Sequence, residues 1–157
     1  MRRPWSRRGA LMLTALAVAC VACPRAGSVA PPIRGILTYV YVDLGREVLY
    51  EVHRGVVTDV LPVSSGGGYR YTSSDGASRR AITPTGRFTI YRKLPGWHHS
   101  YLGSMYYPSY FDGGYAIHGD TYVPRFPVSH GCIRIPMWAA ISFYERNPVG
   151  TPVFIVR

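Results

Sequence analysis

The hydrophobic positions fall into short runs separated by turn residues. Ile36 to Asp43 and Arg46 to His53 are strand-like and meet at Leu44-Gly45, and Val56 to Val63 follows a turn at Arg54-Gly55. Three such runs with turns between them predict a β-meander. Ser64 to Thr85 is rich in Gly, Ser, Thr and Arg and reads as a long loop, ending in Thr83-Pro84-Thr85-Gly86. Arg87 to Arg92 and Tyr115 to His118 predict two further strands, and Thr151 to Val156 a last one. Between them, Leu94 to Gly114 shows no clean period; a loop of that length in a small domain is usually a lid or a binding loop. Pro136 to Arg146 predicts the one helix, with Pro136 in its first turn, Met137, Ile141 and Tyr144 at helical spacing, and Asn147-Pro148 as its stop. The expected fold is a mainly β domain with one short helix.

The start of the chain follows a different pattern. Arg2, Arg3, Arg7 and Arg8 precede an uncharged apolar stretch from Ala10 to Cys23. That stretch is too short to span a bilayer but suits a cleavable export signal. Residues 1–26 are therefore expected to be a signal peptide, 27–35 a linker, and 36–157 the folded domain. Leu16-Ala17-Val18-Ala19-Cys20 resembles a lipobox in which Cys20 would be lipidated, giving membrane attachment, while Ala17-Val18-Ala19 also fits ordinary cleavage and free secretion. Ser6-Arg7-Arg8-Gly9-Ala10-Leu11 loosely resembles a twin-arginine signal. Either route places the domain in the periplasm or cell envelope.

Composition sharpens this picture. With 157 residues, one domain is expected, and 13 Tyr, 17 Gly and 13 Pro favour strands and loops over helices. The whole chain carries +10; five of its 18 basic residues precede residue 27, leaving 13 against 8 acids, or +5. A modest positive charge outside the membrane suits an anionic wall polymer, and no basic cluster interleaved with aromatics supports nucleic-acid binding. Of the three cysteines, only Cys132 lies in the expected domain, so no disulfide framework is expected.

That cysteine sits in Ser129-His130-Gly131-Cys132-Ile133-Arg134. A thiol attacks only as thiolate, and a free cysteine is only a few per cent ionised at neutral pH, so it needs a base or a cation nearby. His130 is too close in sequence to aim its ring easily at the sulfur. His118, followed by Gly119, can be brought face-on from a neighbouring strand and is the better base. Amides around Gly131-Cys132 offer an oxyanion hole, and an extended chain there would put Arg134 on the face of Cys132. A lone cysteine is more often a small buried hydrophobe. The sharper rival is a zinc site with His118, His130 and Cys132 as ligands.

Taken together, Val42-Asp43-Leu44, Val63-Ser64-Ser65-Gly66, Thr83-Pro84-Thr85-Gly86-Arg87-Phe88, Tyr115-Ala116-Ile117-His118-Gly119 and Ser129 to Arg134 resemble an L,D-transpeptidase catalytic domain of the YkuD type, from about Ile36 to Val156. The resemblance implies a β-sandwich or barrel with the cysteine at the head of a groove, and no cofactor or metal. It implies that Cys132 attacks the bond between the third residue of a peptidoglycan stem tetrapeptide and its terminal D-Ala, with transfer of the acyl group to an amine. His118 would be the proton acceptor and donor, the Gly119 carbonyl its orienting partner, and amides of His130, Gly131 and Cys132 the oxyanion cradle. Met137 and Ala139 stand where related chains often carry Asn and Asp, which bears on how the helix is held. Hydrolysis of the same acyl-enzyme, or a non-catalytic wall-binding module, remain open alternatives. Tyr106, Tyr107 and Tyr110 either line the groove or pack a lid.

Overall fold

The computed structural model describes residue 30 and residues 32–157. The expected signal peptide and Cys20 lie outside the described residues. The three-strand meander forms as β1 (Tyr39–Asp43), β2 (Val48–His53) and β3 (Val56–Pro62), paired antiparallel in sequence order. The last strand, β12 (Pro152–Val156), returns beside β1 in parallel, and β6 (Gly86–Thr89) closes the far edge. The first sheet thus has the order β3-β2-β1-β12-β6.

The second sheet carries the site. Its order is β11 (Ile133–Pro136), β10 (Tyr115–Asp120), β9 (Gly103–Asp112) and β7 (Arg92–Lys93), with β8 (Trp97–Ser100) also paired to β9. The inward faces of the two sheets meet in one core that includes Val40, Val42, Leu49, Leu61, Ile117, Ile133, Ile135 and Ile155. Alternate residues of each strand reach it, as pleated strands with one buried face require.

Two stretches differ from the sequence expectation. The loop expected over Ser64 to Thr85 contains a hairpin of β4 (Arg70–Thr72) and β5 (Ser78–Arg80), turning at Asp75-Gly76. The unperiodic stretch Leu94 to Gly114 contains the β8–β9 hairpin. Strands β4, β5 and β8 are largely exposed, and β9 buries Met105 and the continuous run Pro108 to Phe111, so the alternation that marks a half-buried strand is absent from these sequences.

The helix α1 (Met137–Arg146) packs on β9, β10 and β11 and buries Ala139, Ala140 and Phe143. Its first turn has no side-chain cap and no acidic residue. Its other end is firmly held. Glu51, fully buried on β2, receives two hydrogen bonds from the Arg146 guanidinium, 2.6 and 3.1 Å, and one from Asn147 Nδ2 at 2.8 Å. Asn147 Nδ2 also donates to the Phe143 carbonyl at 2.9 Å. A buried carboxylate needs partners of this kind, and Arg146 also lies where the helix dipole favours a cation. The C-terminal clamp compensates for the bare N-terminus. Glu51→Ala is expected to destabilise the protein by about 3 kcal/mol, the scale for breaking a buried charge network. A lowered urea midpoint at constant slope would show it; an unchanged midpoint would remove the clamp from the account.

Candidate active site

Strands β10 and β11 run parallel with Ile117 opposite Ile133 and His118 opposite Arg134. The two isoleucines point into the core, so the alternating residues His118, Asp120 and Arg134 point the other way. Cys132 immediately precedes β11, two residues before Arg134. All four side chains line one cavity of about 510 Å³.

The turn carrying Cys132 is pinned from three directions. Ser129 Oγ donates to the Cys132 carbonyl at 2.5 Å and accepts the Gly131 N–H at 3.0 Å. Thr83 Oγ1 donates to the Gly131 carbonyl at 2.8 Å and accepts the Gly66 N–H at 2.9 Å. Ser64 exchanges both backbone hydrogen bonds with Arg134, and Ser129 N–H reaches the Ser65 carbonyl at 2.9 Å. Behind Ser65, the buried Glu47 carboxylate accepts its N–H at 2.8 Å and its hydroxyl at 2.5 Å. Gly131 itself has φ +131°, and a Cβ there would stand 2.4 Å from the Tyr115 ring and 2.9 Å from the Ile82 carbonyl. Only glycine fits. At Gly119 a Cβ would meet that of Ala140 at 2.6 Å, so this glycine lets α1 lie close on β10.

The electrostatics keep the pair neutral at rest. His118 is only 4% exposed, and burial pushes its pKa below the ordinary imidazole value despite the Gly119 carbonyl and Asp120, which pull upward. Burial pushes the Cys132 thiol up, against the Ala116 N–H and the Arg134 charge, which favour thiolate. His118 Nδ1 lies 3.0 Å from the Gly119 carbonyl. A carbonyl only accepts, so Nδ1 carries the proton and Nε2 of the neutral ring is left as an acceptor.

The remaining expected residues divide. The His130 ring stands edge-on to Tyr69 and Tyr71, with centroids 5.4 and 4.9 Å away, which ties it to the β4–β5 hairpin. Tyr110 is buried, lines the cavity and lies under the Arg92 guanidinium at 4.3 Å. Tyr106 packs on Trp97 and Tyr107, and Tyr107 on Tyr144 of α1 at 5.1 Å, both outside that cavity. No group of three or more His, Cys, Asp or Glu among the described residues is placed to hold a metal ion.

Sequence reasoning missed several residues of the site. Asp120 holds Arg134 at 3.2 Å; its position two residues after His118 on one strand was the available signal. Tyr71, Asp75 and Arg79 reach the cavity from the β4–β5 hairpin, which the Asp75-Gly76 turn dipeptide could have revealed. Glu47 left no signal, since its role depends on a contact with a segment 18 residues away.

The model of the L,D-transpeptidase catalytic domain family, YkuD, matches residues 37–155. The chain belongs to that family. An L,D-transpeptidase from Xylanimonas cellulosilytica is similar in structure with a TM-score of 0.75 and 37% identity, over 81% of this chain and 63% of that one. L,D-transpeptidases from Mycobacterium smegmatis and Enterococcus faecium (the latter a C442S mutant) share the fold at a TM-score of 0.62, with 20% and 22% identity. Each of these two matches covers 77% of this chain, but only 59% and 50% of the respective relatives. The chain therefore spans less than two thirds of these relatives' lengths. A search of curated proteins finds no match. The sandwich with one helix among the described residues is the fold these L,D-transpeptidases share.

The balance at His118 is open to direct measurement. Its ring is expected to titrate by NMR below the ordinary value of about 6.5. Asp120→Asn removes a negative charge that favours imidazolium, so it should move the midpoint lower still. A wild-type midpoint at or above the ordinary value, or an upward shift in the variant, would contradict the burial account.

Proposed function

We propose that the protein is a cysteine-dependent L,D-transpeptidase that acts on peptidoglycan stem tetrapeptides. The observation that carries the reading is the placement of Cys132 and His118 on one cavity, with His118 Nδ1 engaged by Gly119 and Nε2 left to accept a proton. The cavity also presents Arg79, Arg92 and Arg134, which suits a peptide bearing several carboxylates.

In this mechanism Cys132 Sγ attacks the carbonyl carbon of the stem's third residue as its proton passes to His118 Nε2. Because both groups rest neutral, the proton moves during attack and no preformed thiolate–imidazolium pair is needed. The Gly131 N–H is already committed to Ser129 Oγ, so the oxyanion falls to the amides of His130 and Cys132. The bond to D-Ala then breaks, and His118 returns the proton to the departing nitrogen. An acceptor amine attacks the thioester, His118 takes up the amine's proton, and the thiol is regenerated. Arg134, fixed by Asp120 and by the Tyr122 carbonyl, orients the substrate beside the sulfur. The product is a crosslink between third residues or a protein attached to the wall.

The location belongs to the same reading. The basic apolar start suits export, with Cys20 as the lipid attachment point, and the net +5 after residue 26 suits an anionic wall polymer.

The protein incubated with disaccharide-tetrapeptide and followed by mass spectrometry should release D-Ala and form dimer. D-Ala loss with free tripeptide would make it a hydrolase instead, and no reaction where a control enzyme works would overturn the proposal. His118→Ala should reduce D-Ala release by roughly 10²–10⁴-fold, the usual contribution of a general base. His130→Ala should retain part of the activity. Equal rates for wild type and His118→Ala would remove His118 from its role.

A further inference from the structure

A second cavity, of about 450 Å³, opens on the outer face of the β8–β9 hairpin and is lined by Trp97, His99, Ser104, Asp120 and Thr121. Side chains alternate along β8, so His98 turns toward the active cavity while Trp97 and His99 share the opposite face. Their rings are parallel within 6° and 6.3 Å apart, and Trp97 is 51% exposed. Neither ring is loose. Trp97 rests against Tyr106 at 4.9 Å, and His99 Nδ1 is hydrogen-bonded to Ser104 Oγ at 2.7 Å. The result is a braced pair of parallel rings beside the second cavity, with Trp97 half open to solvent.

The polar rim has unused capacity. Asp120 Oδ2 forms a salt bridge with Arg134 Nε at 3.2 Å, and Oδ1 accepts the Tyr122 N–H at 2.9 Å. An ionised carboxylate has about four acceptor sites, so two remain. The Thr121 and Ser104 hydroxyls complete the rim. Ser104 and Asp120 belong to both cavities, so a ligand on the two rings is continuous with one beside Cys132.

Charge separates the two cavities by ligand. Three arginines line the active cavity against Asp75 and Asp120, a net positive lining, whereas the second has Asp120 and no Lys or Arg. An anionic stem peptide fits the first. The second suits a neutral ligand with an apolar face for the rings and hydroxyls for the carboxylate. We propose that the cavity formed by Trp97, His99, Ser104, Asp120 and Thr121 is a sugar subsite that seats the N-acetylated aminosugar to which the stem peptide is attached. The inference rests on the reading of the protein as a peptidoglycan acyltransferase.

The experiment compares two donors, the free tetrapeptide and the disaccharide-tetrapeptide. Trp97→Ala should raise KM about tenfold for the sugar-bearing donor and leave the free peptide unchanged, with Trp97→Phe restoring most of the difference. An equal change on both donors, as loosening of the hairpin would give, or no change on either, overturns the subsite. A second measurement does not depend on turnover. An N-acetylglucosamine trimer without peptide, added to Cys132→Ser, should shift the Trp97 indole NMR signal and leave that of Trp138 in place. No shift, or an equal shift of both, overturns the proposal. If neither donor is turned over by the wild type while Trp97 responds to the trimer, the sugar subsite stands and the transpeptidase reading falls.

Discussion

The register between β10 and β11 is the constraint on which the site depends. Ile117 and Ile133 are fully buried, and their pairing fixes which neighbours face outward. A slip of one residue would bury His118 and Arg134 in the sandwich and turn isoleucines into the cavity. The cost of exposing those isoleucines, about 1.5–3 kcal/mol each, therefore also holds His118 and Arg134 in place. The core specifies the chemistry through the period of the strand. Parallel pairing requires a crossover, and the chain between β10 and β11 supplies it together with the Ser129–Cys132 turn, so Cys132 arrives at the cavity that His118 lines.

Register alone would not fix the sulfur, since Cys132 precedes the strand. Its position comes from a relay of hydrogen bonds that begins far from the cavity. Glu47 holds Ser65, Ser65 holds Ser129, and Ser129 closes the turn on Cys132. Burial pushes the Glu47 carboxyl up, with the two Ser65 hydrogen bonds opposing it. A buried carboxyl loses its hydration, so its two donors are needed and are held firmly. The motif glycines complement this relay by allowing contact where a side chain would collide. The Ser-His-Gly-Cys pattern is thus a packing solution as much as a chemical one: Ser129 bonds the turn, Gly131 admits the Tyr115 ring, and His130 braces a hairpin.

What was legible in the sequence follows the same division. The strands of the first sheet and the helix have one buried side, and their periods were readable to within a few residues. His118 and Cys132 stood out because their residue types carry chemistry at any position. The two hairpins were not legible, since β4 and β5 bury no residue and the buried positions of β9 form a run with no two-residue period. Their tyrosines read as loop residues, although Tyr69 and Tyr71 grip His130 while Tyr106 and Tyr107 pack toward the hairpin and the helix. Glu47, Glu51 and Asp120 were hidden for another reason. Each is an ordinary surface residue type whose role exists only through a partner brought close by the fold.

The hairpins also explain how one short domain offers two kinds of surface. Both flank the active cavity, whose charges are already paired in part: Asp75 with Arg79 of the β4–β5 hairpin at 2.5 Å, and Asp120 of β10 with Arg134 of β11 at 3.2 Å. Those pairs hold the guanidinium groups in position without cancelling their remaining donors, because one carboxylate cannot occupy all five N–H groups of an arginine. Arg92 is arranged differently, lying over the Tyr110 ring with its edge open to the cavity. Fixed cations thus stand on one side of Asp120, while the other side presents the Trp97 and His99 rings. Asp120 stands at the junction with separate duties: it steadies Arg134, raises the proton affinity of His118, and faces the second cavity.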